Sequence, residues 1–369
     1  MKHLFLLIAV LFALNGYGQS TVYFTSEITS ESLVRIFHAL GVEPKGKVAV
    51  KISTGESAQS NHLRPEFIKD LVDEVEGTLV ECNTAYWGSR NTTEAHRRAI
   101  AERGYDKIAT VDIMDEEGSI RIPVSDSKWL QYDLVGSHIQ NYDFMINLAH
   151  FKGHQMGGFG GVLKNASIGV ASSAGKKYIH SAGRSETSSG NSNQDSFIES
   201  MAAAAQAVHN YFKQEGKDIV YINVMNNMSV DCDCNGRPAA PQLKDMGILA
   251  SMDPVALDKA CLDLVFNHES TAGDNASPLI NRINSMHGTH IVDYGEEIGL
   301  GTREYTLISM DDMEGEEEGT TGIADLGDGK RNLYNVFTLD GKKVLDRSTA
   351  LESLEPGIYI VNGKKQVFN

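Results

Sequence analysis

From Lys47 onward the chain alternates between two hydrophobic periods, and that alternation leaves few architectures open to it. Residues 48–52 are a β-rich run. Residues 65–75 place apolar side chains at helical spacing behind Pro65, a residue suited to a first helical turn, and 78–81 are β-rich again. Residues 92–103 read as a second helix capped by Thr92 or Thr93, and 107–112 and 142–148 as further strands, the last of them buried. A polar loop at about 181–193 precedes an Ala-rich helix over 194–214. A strand is then expected over 218–225, a short one over 248–251, and a helix over 253–266 with Asp253 as cap and Pro254 in its first turn. Strands alternating with helices predict an α/β fold, a mostly parallel sheet flanked by helices.

This body is expected to span 19–310. Asp311, Asp312, Glu314, Glu316, Glu317 and Glu318 then mark an acidic linker over 311–331. Asp340-Gly341 and Asn362-Gly363 are hairpin dipeptides flanked by β-rich residues, so 332–369 should form a small antiparallel β module. At the other end, Met1, Lys2 and His3 precede an apolar run over 4–14, followed by Gly16 and Gly18. That is the pattern of a signal peptide over 1–18, too short to span a bilayer and removed after Gly18. No cysteine follows the cleavage site to accept a lipid, and no later run approaches a transmembrane helix. The expected product is exported to the periplasm, the outer-membrane surface or the medium, with no transmembrane anchor.

A formal net charge of −16 excludes a nucleic-acid partner, because no basic face is evident to offset phosphate repulsion. The four cysteines, Cys82, Cys232, Cys234 and Cys261, allow three pairings in an oxidising compartment. Cys232 and Cys234 are read as disulfide partners or small buried residues, with a cysteine-based metal or redox site as the alternative.

The chemistry concentrates in 149–169. His150, Lys152, His154, Lys164 and Asn165 surround Gly153, Gly157, Gly158, Gly160 and Gly161, and so many glycines make a poor helix or strand interior. A loop of bare backbone with two imidazoles and two ammonium groups suits an anionic small molecule, a divalent metal, or both. His150 and His154 would lie about 13 Å apart in an extended strand at roughly 3.3 Å per residue, so a shared ion needs a bent loop. His154 is the stronger acid/base or ligand candidate, and His150, at a strand end, has a core reading as well. Lys164, Lys152 and Asn165 are anion-binding candidates, with Lys164 also a potential nucleophile. Glu56, just past a strand, is a second acid/base candidate, and Arg64 or Arg90 could clamp a carboxylate or phosphate.

From about 48 to 308 the chain resembles the bacterial and archaeal proteins carrying domain of unknown function 362. The motifs are Lys51 with Gly55-Glu56, Asn61 and Arg64-Pro65; Asn83-Thr84-Ala85-Tyr86 with Gly88 and Arg90; His96; His150-Phe151-Lys152-Gly153-His154 with Gly158-Phe159-Gly160-Gly161 and Leu163-Lys164-Asn165; Gly175-Lys176-Lys177 with His180-Ser181; Cys232-Asp233-Cys234; Asp245-Met246-Gly247-Ile248; and Ser251 to Asp258. Many such relatives carry a ferredoxin-like cysteine module after the position of His180-Ser181. This chain has a polar loop there, so an iron–sulfur cluster does not carry over and a divalent metal acquired after export fits better. A shorter outline, His154, Gly158-Phe159-Gly160-Gly161 and Lys164, is similar to nickel-pincer lactate racemases and implies that Lys164 and His154 face one cavity with His180 nearby. Residues 332–369 resemble the C-terminal sorting tails of type IX secretion substrates in Bacteroidetes, which implies the secretion machinery as a partner.

Overall fold

The computed structural model describes residues 19–190, 192–214 and 216–311 with their side chains, and the backbone of four strands between 334 and 368. The expected signal peptide and most of the expected acidic linker lie outside the described residues. The chain divides into two compact units, Met1–Glu317 and Glu318–Asn369.

The first unit opens with β1 (Ser20–Thr25), α1 (Ser30–Ala39), β2 (Val48–Lys51), α2 (Pro65–Glu74), β3 (Thr78–Glu81), α3 (Thr93–Arg103) and β4 (Val111–Ile113). A small hairpin, β5 (Ser119–Ile122) and β6 (Asp133–Gly136), leads to β7 (Phe144–His150). Then come β8 (Lys152–His154), β9 (Gly158–Gly160), α4 (Val162–Ser167), α5 (Ser173–His180) and α6 (Gln194–Phe212). The rest is β10 (Asp218–Met225), β11 (Gly247–Ser251), α7 (Pro254–Phe266), α8 (Ser277–Ser285), α9 (His290–Glu297) and β12 (Tyr305–Ser309).

Eight strands form one sheet in the order β12-β1-β11-β10-β7-β2-β3-β4. Only β11 runs against its neighbours. Side-chain alternation divides the interior into two cores, one on each face of the sheet. Along β7, Phe144, Ile146 and Leu148 face the first core while Met145 and Ala149 face the second; β10 repeats this with Val220, Ile222 and Val224 against Ile219, Tyr221 and Met225. Leu33, Ile36 and Phe37 of α1 and Ile68 and Leu71 of α2 fill the first core, and the apolar faces of α6 and α7 fill the second. The result is an α/β fold whose strands are apolar on both sides.

Two expectations change in detail. The strand expected over 107–112 starts only at Val111, because Gly104, at φ 81°, ends α3 and feeds a 3-10 turn over Tyr105–Lys107. The glycine-rich segment is not an open loop but the β8–β9 hairpin followed by α4. Its glycines allow close packing: a Cβ on Gly153 would lie 2.3 Å from the Val230 carbonyl oxygen, and one on Gly161 2.2 Å from Asp258 Oδ1.

In the second unit, β13 (Tyr334–Thr338), β14 (Lys343–Ser348), β15 (Gly357–Val361) and β16 (Lys364–Phe368) form an antiparallel sheet of order β14-β13-β15-β16. The two hairpin dipeptides themselves lie outside the described residues.

Candidate functional site

The carboxyl ends of β2, β3, β7 and β10 open on one side of the sheet, where ligands of open α/β sheets collect. A cavity of about 180 Å³ lies there, and Lys51, Glu81, Arg90, Lys152, His154, Lys164, Lys176, His180, Cys232 and Cys234 reach its wall. Lys51 and Glu81 end β2 and β3, Lys152 and His154 lie on β8, Lys164 on α4, Lys176 and His180 on α5, and Arg90, Cys232 and Cys234 on the segments after β3 and β10.

The seat of α4 sets the floor. Lys51, Asn147 and Asn223 are the polar positions of β2, β7 and β10 on the face under this helix, and Lys51 lies opposite Asn147 in register. Asn147 Nδ2 donates to the Val162 carbonyl at 3.0 Å, and Asn165 Nδ2 donates to Asn147 Oδ1 at 2.7 Å and to the Lys51 carbonyl at 3.1 Å. Asp258 is fully buried in α7. Its carboxylate accepts the first N–H groups of α4, from Val162 at 2.9 Å and Leu163 at 3.0 Å, and the Asn223 amide at 2.7 Å. A helix with no side-chain cap of its own is thus capped from across the fold. Burial pushes the Asp258 carboxyl up to about 6.

Five cations face the cavity, and among the described residues only two are paired with carboxylates. Lys152 Nζ lies 3.0 Å from Asp233 Oδ2, while Arg90 sits 3.3 Å from Glu81 and 3.5 Å from Glu56. Among the described residues Lys51 Nζ bonds only neutral groups, the Ile52 carbonyl and Asn165 Oδ1 at 3.2 Å. Lys176 Nζ bonds the Ala171 carbonyl, and Lys164 Nζ faces Cys232 Sγ at 3.9 Å. Burial, the largest influence, lowers Lys51 to about 8 and also lowers Lys176. Burial likewise opposes the charge of Lys152, but Asp233 outweighs it and holds that ammonium above its ordinary range. Glu81 would be raised by burial, yet Arg90 and His96, the latter at 2.7 Å, keep it ionised well below the usual carboxylate range.

The two sulfurs complete the wall. Cys232 and Cys234 both line the cavity from a turn closed by the Asn235 N–H on the Cys232 carbonyl, while Asp233 between them is buried. Asp233 Oδ1 contacts His150 Nδ1 at 2.8 Å, and with Lys152 it locks the turn to β7 and β8. The hydrogen bond from the Cys234 thiol, followed by the charge of Lys164 and the hydrogen bond from His154, holds Cys232 well below the ordinary thiol range against the effect of burial. The Cys234 thiol moves in the opposite direction. All four cysteines are free thiols.

His154, Cys232 and Cys234 bring three donor atoms within 4.8 Å of one another, a spacing that could hold a metal ion. The orientation of the ring argues against it. His154 Nδ1 accepts the backbone N–H groups of Met156 at 3.2 Å and Gly157 at 2.8 Å, so the neutral ring carries its proton on Nε2. A metal-bound imidazole has the reverse arrangement, donating an N–H outward and offering a lone pair to the ion. As held, His154 supplies a hydrogen to Cys232, and the donor set shrinks to two sulfurs. An iron–sulfur cluster fits no better, because it calls for about four thiolates, and Cys261 is fully buried beside the Asn223 amide at 3.4 Å.

The structure thus gathers His154, Lys164, Lys152, Asn165, Arg90, His180, Cys232 and Cys234 around one cavity and leaves Glu56, Arg64 and His150 outside its wall. Glu56 accepts the Tyr86 hydroxyl at 3.0 Å and the Ser89 N–H, which makes it a brace behind Arg90 rather than a free acid. Arg64 is spent on the Ser60 and Ala58 carbonyls and on His62. Both ring nitrogens of His150 are engaged, by Asp233 and by the Asn226 carbonyl at 2.6 Å, so it shares no ion with His154. Asn165 lies at the cavity, but its amide is consumed in seating α4. His180 stacks on Phe197 at 4.5 Å, and burial lowers it to about 3. Lys51, Glu81 and Lys176 went unread as site residues. The signal was present in Lys51, a charge ending an otherwise apolar buried strand.

Residues 48–263 match the family model described as Domain of unknown function (DUF362). No curated protein sequence matches the chain. A crystal structure of a Thermotoga maritima protein is similar at 10% identity and a TM-score of 0.38, over 73% of this chain and 58% of that one. The lactate racemase apoprotein from Thermoanaerobacterium thermosaccharolyticum is similar at 14% identity and a TM-score of 0.39, over 66% of this chain and 56% of that one. The chain therefore spans little more than half the length of either protein. Among the described residues, no helix is long and apolar enough to cross a membrane.

Proposed function

The chain belongs to the Domain of unknown function (DUF362) family, and from that premise we propose that its cavity binds a small organic anion, a carboxylate or a phosphate ester. One observation carries the reading. Lys51, Lys164 and Lys176 converge on a mostly buried cavity and pair with no carboxylate among the described residues, Lys164 facing the Cys232 sulfur and the other two only neutral groups. Burying an ammonium without a counter-charge is costly, and a bound anion offsets that cost. Arg90 and Lys152, already neutralised, shape the wall, and His154 and Cys232 stand beside the ligand. Calorimetric titration with a panel of mono-, di- and tricarboxylates and phosphate monoesters is the test. At least one should bind, and Lys164→Ala should weaken it tenfold or more, about 1.4 kcal/mol. Silence across the panel, or indifference to Lys164→Ala, refutes the proposal.

We also propose that the protein is exported and that residues 332–369 are a sorting tail read by the secretion machinery. The position of β1 supports this reading. It begins at Ser20, so cleavage after Gly18 removes a leader without touching the sheet.

A further inference from the structure

We infer that Cys232 and Cys234 form a redox-active dithiol that exchanges electrons with a small anionic disulfide in the cationic cavity. The choice of an anionic partner rests on the anion-binding reading. The dithiol itself rests on separate observations.

The two sulfurs lie within 4.8 Å of each other and both face the cavity. Their turn is fixed on every side. The Cys232 carbonyl accepts Asn235 N–H at 2.8 Å, Glu56 N–H reaches the Asp233 carbonyl at 2.8 Å, and Ser60 and Ser57 hydroxyls hold the Asn235 and Gly236 carbonyls at 2.8 and 2.6 Å. The surroundings of the pair are unequal, as a nucleophile and a resolving thiol require. Cys232 is buried and faces Lys164 Nζ at 3.9 Å and the His154 ring, whereas Cys234 is the more exposed. Positive charge on one side favours the thiolate at Cys232, leaving Cys234 as the proton-bearing partner. Neither Cys82, whose thiol donates to the Val170 carbonyl at 3.2 Å, nor the fully buried Cys261 has such a setting.

In the exchange, the Cys232 thiolate attacks one sulfur of the small disulfide. A Cys232–sulfur bond forms, the substrate S–S bond breaks, and the first thiolate leaves with the electron pair. The Cys234 thiol passes its proton to that thiolate and attacks Cys232 Sγ. The mixed disulfide breaks, and the second thiolate leaves and takes a proton from water. The dithiol is oxidised by two electrons to a Cys232–Cys234 disulfide, and the small disulfide is reduced by two to a pair of thiols.

The experiment mixes the reduced full-length protein with the dianionic chromogenic disulfide dithiobis(nitrobenzoate) and, in parallel, with neutral dithiodipyridine. Release is followed by stopped flow and the product by intact mass. We expect a fast phase in which each reagent molecule gives up both aryl thiolates, leaving a chain lighter by a pair of hydrogens. Cys234→Ser should stop at the mixed disulfide, and Cys232→Ser should lose the fast phase. After correction for each reagent's rate with a free thiol, the anionic one should react at least tenfold faster. Mixed disulfides that persist on the wild type, or a fast phase that survives Cys232→Ser, overturn the dithiol. So does bound zinc that blocks both thiols until a chelator is added. Closure at equal rates with both reagents overturns the anionic partner, and with it the reading that supplied it.

Discussion

Lys51 shows most simply what the cavity costs the protein. It ends a strand whose other members are apolar, and burial lowers its ammonium from 10.5 to about 8. Between those values the unfolded chain holds a proton that the folded chain has released, so unfolding free energy should rise with pH across that window. The full penalty is present below about pH 8, and its size is of the order of 3 kcal/mol. Lys51→Met should therefore raise Tm at pH 7 and flatten the rise in stability measured by urea unfolding between pH 8 and 10.5. An equal rise in wild type and variant would contradict this. At this scale chemistry and motif coincide at His154, Lys164 and Arg90, and the structure brings all three to the cavity wall. Glu56, Arg64 and His150 do not line the cavity, and a residue type does not reveal whether its polar atoms are already engaged elsewhere. Glu56 and Arg64 are both spent on partners brought in by loops, which no spacing rule anticipates.

Elements position these residues, and α4 is the one on which the cavity depends most. Its six residues are too few to be stable alone, and its first N–H groups bond an acid almost a hundred positions away in sequence. Asp258→Ala would strand the N–H groups of Val162 and Leu163 and the Asn223 amide inside the core, where each unmet group costs about 1–3 kcal/mol. Chemical denaturation should show a loss of at least that size, and a variant as stable as wild type would refute the capping role. The same contact explains why the glycine-rich segment was misread. Composition shows that glycine disfavours regular structure, and it cannot show that Gly161 gives way to Asp258 or that Gly153 gives way to Val230. The strand over Asp218–Met225 and the helix behind Asp253 and Pro254 were legible because apolar periodicity and a cap agree there.

For the molecule as a whole, strand–helix alternation was enough to read a mostly parallel sheet flanked by helices. The antiparallel β11 was not legible, since direction depends on the connection and not on composition. The family match over 48–263 covers every strand end that reaches the cavity. The export proposal belongs to this scale too: mass spectrometry of protein from its native host should find a mature chain beginning at Gln19, and a chain retaining residues 1–18 would refute it. The central claim is that the acidic protein encloses a cationic cavity built for an anion. Titration of wild type and Lys164→Ala side by side against the carboxylate and phosphate panel tests it most directly. The account predicts saturable binding that weakens at least tenfold in the variant and falls as pH rises through about 8, where Lys51 loses its proton. Binding that ignores both the substitution and the pH, or no binding at all, would contradict it.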